Sequence, residues 1–194
     1  MSLSLVDVSK KIKRKDGFFQ AKYNIKENNI QILLHYCLKN VILDKHKHKQ
    51  IQFGYNFWGK YIFKIGKDIT TIIPKSNYII NSYIEHEAKA ITNYYSIDIK
   101  YYGNLNSEKN LNIPYSKNKK IQLNTIDNKR ISITKCTNGL KLPNKSLLIT
   151  SKKTKIELSG EIFNLDMMKI YQIYNSEEII CGDIKNDIIA IYIN

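Results

Sequence analysis

The stretch IDIKYY (97–102) sets Asp98 and Lys100 two residues apart. On an extended backbone that spacing turns both side chains to one side, where a carboxylate can hold a divalent metal and an ammonium can meet a phosphate. Metal-dependent nucleases use this pairing, but no second acid on a neighbouring strand is evident. Glu85 and Glu87 flank His86 in a segment with helical spacing, and on a helix positions i and i+2 diverge by about 200°, so they cannot share a site. The run KHKHK (45–49) could take up a metal adventitiously, although a basic loop beside phosphate is the better reading. His35 falls beside an apolar stripe and reads as a packed histidine. Cys37, Cys136 and Cys181 are odd in number and widely spaced, with no CxxC and no histidine at zinc-ligand spacing. They suggest buried thiols in a reducing compartment. No glycine-rich phosphate loop and no motif around a Ser or Cys nucleophile appears. These residues predict a protein that is not an enzyme and needs no cofactor.

The chain has 194 residues, 43% of them apolar, enough to fold without staples. Lys and Arg number 31 against 17 Asp and Glu, a net charge of +14. Such a balance favours a polyanionic partner, because each neutralised phosphate releases a condensed counterion. Nearly every basic residue is Lys, and Asn, Ile and Tyr are abundant, so part of the excess reflects A/T-rich codons. No signal peptide and no apolar run of membrane length is present. The expectation is a soluble intracellular protein without a membrane partner, placed in the nucleus, or in the cytoplasm or virion if it comes from a cytoplasmic DNA virus.

The elements that would position these residues repeat. Residues 1–16, with KKIKRK at 10–15, read as a basic arm. A strand over 18–25 precedes a helix whose stripe is Ile30, Leu33, Leu34, Cys37, Leu38 and Val41. Strands follow over 50–57, KYIFKIG and DITTII, and Pro74 stops them. A second helix starts at Ser76 or Asn77 and carries Ile80, Ile84, Ala88, Ile91 and Tyr95 on one face. The second half echoes the first: KSLLITSKKTKIELSG (145–160) restates KYIFKIGKDITTII (60–73), and a helix over NLDMMKIYQIY is capped by Asn164. The echo runs from Lys22 to Lys100, an offset of 78, and from Phe63 to Thr150, an offset of 87. The predicted organisation is a repeat over 17–96, a second over 97–180 and an extension over 181–194. The fold class is α+β: two pseudo-symmetric β-α-β-β-β-α repeats that form one curved antiparallel sheet, with helices on its convex face.

YIFKIGK (61–67) and SLLITSKKTKIELSGEIFNLDMMKIYQIY (146–174), through Leu147, Leu148, Ile149 and Gly160, resemble the repeated signature of the TATA-binding protein and its divergent viral relatives. The resemblance spans roughly residues 18–178. It implies a transcription initiation factor whose saddle sits on the minor groove of A/T-rich double-stranded DNA, with aromatic wedges opening base steps. A hairpin centred on Trp58 would set Phe53 opposite Phe63 as one wedge, with ordinary sheet packing as the competing reading. Thr150 stands where the second wedge would be, and its expected neighbour Ile133 is not aromatic. By position, Tyr23 or Asn24 and Tyr101 or Asn104 would bond the groove floor. Lys22, Lys64, Lys67, Lys100, Lys152 and Lys153 would contact phosphates. Tyr83, Glu87, Tyr94 and Lys169, on the helical outer face, would meet other initiation factors or RNA polymerase subunits. An RNA-binding or ribonucleoprotein component is the alternative, and a nuclease resting on Asp98 and Lys100 is a third reading.

Overall fold

The segment expected to form the first helix is extended. In the computed structural model, which describes residues 2–6, 9–103, 113–114, 121–127, 129–174, 179–182 and 187–193, Ile30–Cys37 is a strand. It runs between Phe18–Ile25 and Tyr94–Tyr101, with Leu34 opposite both Ala21 and Ile97. A strand covered on both faces is an almost continuous apolar run, and such a run also satisfies a helical i, i+3, i+4 count. The second expected helix is likewise two strands, Ser76–Ile80 and His86–Ala90, followed by Tyr94–Tyr101. Its bend lies near Tyr83, whose φ is +63°. The third resolves into Glu161–Leu165 and Ile170–Tyr174, with Met168 at φ +62° between them. β-Branched and aromatic residues favour the pleated state in all three. The only helical element among the described residues is the 3-10 turn Lys26–Asn28.

The α+β saddle with helices on one face is therefore corrected to an all-β architecture of two units. One unit comprises Ser9–Tyr115 with Thr125–Asp127. Its larger sheet has seven antiparallel strands in the order Ile113–Pro114, Ser76–Ile80, Ile51–Trp58, Tyr94–Tyr101, Ile30–Cys37, Phe18–Ile25 and Ser9–Lys15. Its smaller sheet has four, in the order Ile42–His46, His86–Ala90, Tyr61–Ile65 and Asp68–Ile72. The two sheets share a core in which Phe18, Cys37, Tyr78 and Tyr94 of the larger meet Phe63 and Ile72 of the smaller. That is a sandwich of jelly-roll type.

The other unit comprises Met1–Val8, Ser116–Asn124 and Asn128–Asn194. Its six-stranded sheet runs Ser2–Val6, Ile170–Tyr174, Leu147–Thr150, Ile188–Ile193, Arg130–Lys135 and Ile121–Asn124. Two ribbons, Thr154–Leu158 with Glu161–Leu165 and Lys141–Leu142 with Ile179–Ile180, are bridged between Leu158 and Cys181. The units repeat one strand succession, but in a different register from the expected one. Tyr61 and Asp68 start a hairpin whose counterparts start at Thr154 and Glu161, 93 residues on in both cases. The 87-residue offset from Phe63 to Thr150 is six residues short. Phe63 pairs with Thr70 and Ala88, whereas Phe53 pairs with Ile79 and Ile99, so the two are not opposite one another.

Candidate metal centre

Histidines 46 and 48 are two residues apart at the end of one strand of the smaller sheet. His46 closes Ile42–His46 and is paired with His86, which opens His86–Ala90. Ring centroids lie 4.2 Å apart for His46 and His86 and 4.9 Å for His48 and His86. One ring nitrogen from each of the three lies within 4.8 Å of the others.

The main chain sets which nitrogen each ring offers. Each Nδ1 lies against a carbonyl oxygen two residues away: His46 on Asp44 at 2.8 Å, His48 on Gln50 at 2.8 Å and His86 on Ile84 at 2.9 Å. A carbonyl accepts only, so Nδ1 carries the proton in all three rings and Nε2 keeps its lone pair. His86 Nε2 is buried and has no hydrogen-bond partner. Burial lowers the His86 pKa to about 4, with neighbouring His46, His48 and Lys100 opposing its charge as well. Burial and the Lys100 charge also lower that of His48. Burial thus favours the neutral forms of His48 and His86, whose lone pairs are what a first-row divalent cation needs.

Gln52 stands beside the set, its amide 2.9 Å from His48 Nε2. With His48 in this tautomer, the pair is satisfied when the amide turns an N–H toward the ring. In this structure it is the amide oxygen that faces His48 Nε2, which makes Gln52 a fourth, neutral ligand candidate. Three nitrogens around one cation at about 2.1 Å lie about 3.4–3.6 Å apart, so the rings need to close by roughly an ångström from the 4.8 Å within which they now stand. The residues fit a metal.

Beside the imidazoles of His46 and His86 lies a cavity of about 450 Å³ between the two sheets of this unit. The pleat delivers Tyr94, Ser96, Asp98 and Lys100 of one strand to it, at alternate positions. Asp98, 3% exposed, accepts a hydrogen bond of 2.5 Å from the Tyr78 hydroxyl, and His35 Nδ1 lies 3.4 Å from its other oxygen. The Gln20 amide nitrogen is 2.9 Å from His35 Nε2, which leaves the His35 proton on Nδ1, facing Asp98. Burial first, and the Asp98 charge second, raise the Tyr78 pKa well above its ordinary 10, so Tyr78 remains a donor. Gly54 makes this contact possible: a Cβ there would sit 1.9 Å from Tyr78 Cζ. Only glycine lets the Tyr78 ring cross that strand.

The residues expected to touch DNA are scattered. Phe53, Phe63, Tyr101 and Thr150 are buried, and the Thr150 hydroxyl donates to the Lys152 carbonyl. Asn24 is exposed and accepts from the Gln31 amide, while Tyr23 and Lys22 are half-buried. Lys64 pairs with Glu87, Lys67 lies in an exposed turn, and Lys152 and Lys153 are exposed in the other unit. Asn104 lies outside the described residues. Of the set, only Phe63 and Lys100 line the cavity. Among the residues expected to meet protein partners, Tyr83 is exposed, Tyr94 is buried and Lys169 is paired with Asp166.

Asp98 and Lys100 do share a site, but the partners of Asp98 are a tyrosine and a histidine rather than a second acid. The helical argument that separated Glu85, His86 and Glu87 falls with the helix. His86 joins the two histidines of the KHKHK run, and the three imidazoles converge. The available signal was His-x-His, because alternate residues of an extended segment can face one side. Its third member lies nearly forty residues on, and only sheet pairing brings it close.

No family model and no curated protein matches the sequence. Solved structures do. AerE from Microcystis aeruginosa superposes with a TM-score of 0.66 at 17% identity over 97% of both chains. A structure of oxalate decarboxylase described for its substrate binding mode gives 0.60 at 9% identity, over 99% of this chain and 77% of that one. A Bacillus subtilis oxalate decarboxylase structure described for its Mn(II) centres gives 0.59 at 10%, over 99% and 77%. At identities this low the superpositions show the fold alone, an all-β jelly roll shared with these proteins. The TATA-binding-protein resemblance, and with it the DNA-binding transcription factor, is overturned by these neighbours and by the missing helices. The exclusion of catalysis is corrected too. It rested on finding no convergent reactive residues, and His46, His48 and His86 converge in a fold shared with an enzyme.

Proposed function

We propose that the chain is a metal-dependent enzyme of the cupin type, holding one divalent first-row cation on His46, His48 and His86 with Gln52 in reserve, and acting on a small molecule in the adjoining cavity. The observation that carries this reading is the common tautomer of the three rings: each Nδ1 is tied to its own main chain, and the His86 Nε2 is buried without a partner. A buried nitrogen left unsatisfied is costly unless something binds it. A cation in that position supplies Lewis-acid polarisation of an oxygen-bearing ligand. The chain's own groups do the rest. Phe18, Leu33, Phe63 and Tyr94 wall the cavity and keep water from the ligand. Tyr78, Asp98, His35 and Gln20 form a hydrogen-bonded series that fixes the Asp98 carboxyl in the wall and holds one proton at Tyr78 Oη and another at His35 Nδ1.

The test is equilibrium dialysis of the metal-free protein against Mn(II), Co(II) and Zn(II), beside the His86→Gln variant. At least one metal is retained by the parent chain, and retention falls at least tenfold in the variant, about 1.4 kcal/mol or more. Equal retention by both proteins contradicts the assignment.

A further inference from the structure

The charges around the three histidines do not balance once a cation is placed there. Imidazole and amide are neutral ligands, so a divalent cation keeps its full charge at a place where His86 is buried, His48 half-buried and His46 exposed. Lys100 adds to it. Its side chain lines the same cavity as His46 and His86, and its charge acts on both His48 and His86. Its ammonium makes no hydrogen bond and no ion pair within 4.0 Å among the described residues, while its main chain is paired with Gln31 and Gln52. Of the nearby carboxylates, Glu87 is paired with Lys64 at 3.4 Å, and Asp98 is held by Tyr78 and His35 and acts on Lys100 only through its charge, without a direct ion pair. The rim lysines are also paired, Lys15 with Asp44 at 3.3 Å and Lys45 with Glu85 at 2.9 Å. Burial lowers the Lys100 pKa and the Asp98 charge raises it, the first effect being the larger, so the ammonium is short of stabilisation in this structure. An unmatched cation beside a cation site is a place for an anion.

We propose that Lys100 is the anion-recognition residue of this site and that its ligand is a small organic carboxylate with an apolar body. The inference rests on the metal reading above. One carboxylate oxygen lies between Lys100 and the cation, and the body rests against Phe18, Leu33, Phe63 and Tyr94. A cavity of about 450 Å³ suits one such molecule rather than a polymer. The assignment also separates acid from amide: a neutral isostere has the same shape and contacts but leaves the ammonium unpaired.

Calorimetric titration of benzoate and of benzamide into cobalt-loaded and metal-free protein tests this, with Lys100→Met and Lys100→Arg as variants. Cobalt-loaded parent protein binds benzoate at least tenfold more tightly than benzamide. Lys100→Met loses that preference while keeping cobalt and the benzamide affinity, and Lys100→Arg retains the preference. A parent protein that does not distinguish the two, or that binds neither, overturns the proposal, as does a Lys100→Met variant that still prefers the acid. Failure of cobalt to bind overturns the metal reading instead. The metal-free titrations then decide Lys100 alone: a benzoate preference abolished in Lys100→Met retains it as the anion contact, and no preference removes it.

Discussion

At the scale of the residue, the site is a matter of protons. His86 is held near pKa 4, against an ordinary 6.5, chiefly by burial. In the unfolded chain the same imidazole takes up a proton as pH falls through 6.5. Between the two values the unfolded state therefore binds more protons, and folding stability is lost as pH drops. The full contribution is present above pH 6.5 and gone by about pH 4, on the order of 3 kcal/mol. Urea unfolding of the metal-free protein across that window should show the loss, and His86→Gln should show a flatter profile. Parallel profiles for the two proteins would mean that His86 is protonated as easily in the folded state as in the unfolded one. Of these residues, Asp98, Lys100 and the His-x-His pair were legible as chemistry in the sequence. Their partners were not, because Tyr78, His35 and His86 are brought to them by sheet pairing across long separations.

At the scale of the element, two of the three expected helices fall on strands covered on both faces, and the third on Glu161–Leu165, which is mostly exposed, and Ile170–Tyr174. Ile30–Cys37 and Ser76–Ile80 are buried almost throughout, so the two-residue alternation that marks a half-exposed strand is missing. Hairpins were legible where they are half-exposed: Tyr61–Ile65 alternates buried and exposed, and Gly66, at φ +59°, turns it into Asp68–Ile72. Of the expected echo, the half from Phe63 to Thr150 is six residues out of register, the true counterpart of KYIFKIG being TKIELSG, and the half from Lys22 to Lys100 joins two strands of one unit. Packing between elements gives a further prediction. Gly54 pairs with Tyr78 across neighbouring strands, and the Tyr78 ring occupies the space of a side chain at position 54. Gly54→Ala should destabilise the chain by roughly 3 kcal/mol, since the obstacle is a buried ring and not the end of a flexible chain. Chemical denaturation measures it. A loss under about 0.5 kcal/mol would show that the ring can leave Asp98 freely.

At the scale of the whole molecule, one strand succession occurs twice and the chemistry once. All four histidines, His35, His46, His48 and His86, belong to the Ser9–Tyr115 unit. In the other unit Leu158, 93 residues on from Ile65, is bridged to Cys181 where Ile65 is paired with His86, and the core is built from Leu148, Ile156, Leu165, Ile173 and Ala190. The net charge of +14 was legible from composition, but it does not point to the site, because surface lysines report on the codons as well as on a partner. The charge that matters for the site is Lys100, inside the cavity. A duplicated fold with a single histidine set requires one metal per chain and not two. X-ray absorption at the zinc edge, on zinc-loaded protein of measured stoichiometry, tests this most directly. The account predicts one zinc per chain with three imidazole nitrogens at about 2.0–2.1 Å. Two zincs per chain, or a single zinc with fewer than three imidazole shells, would contradict it.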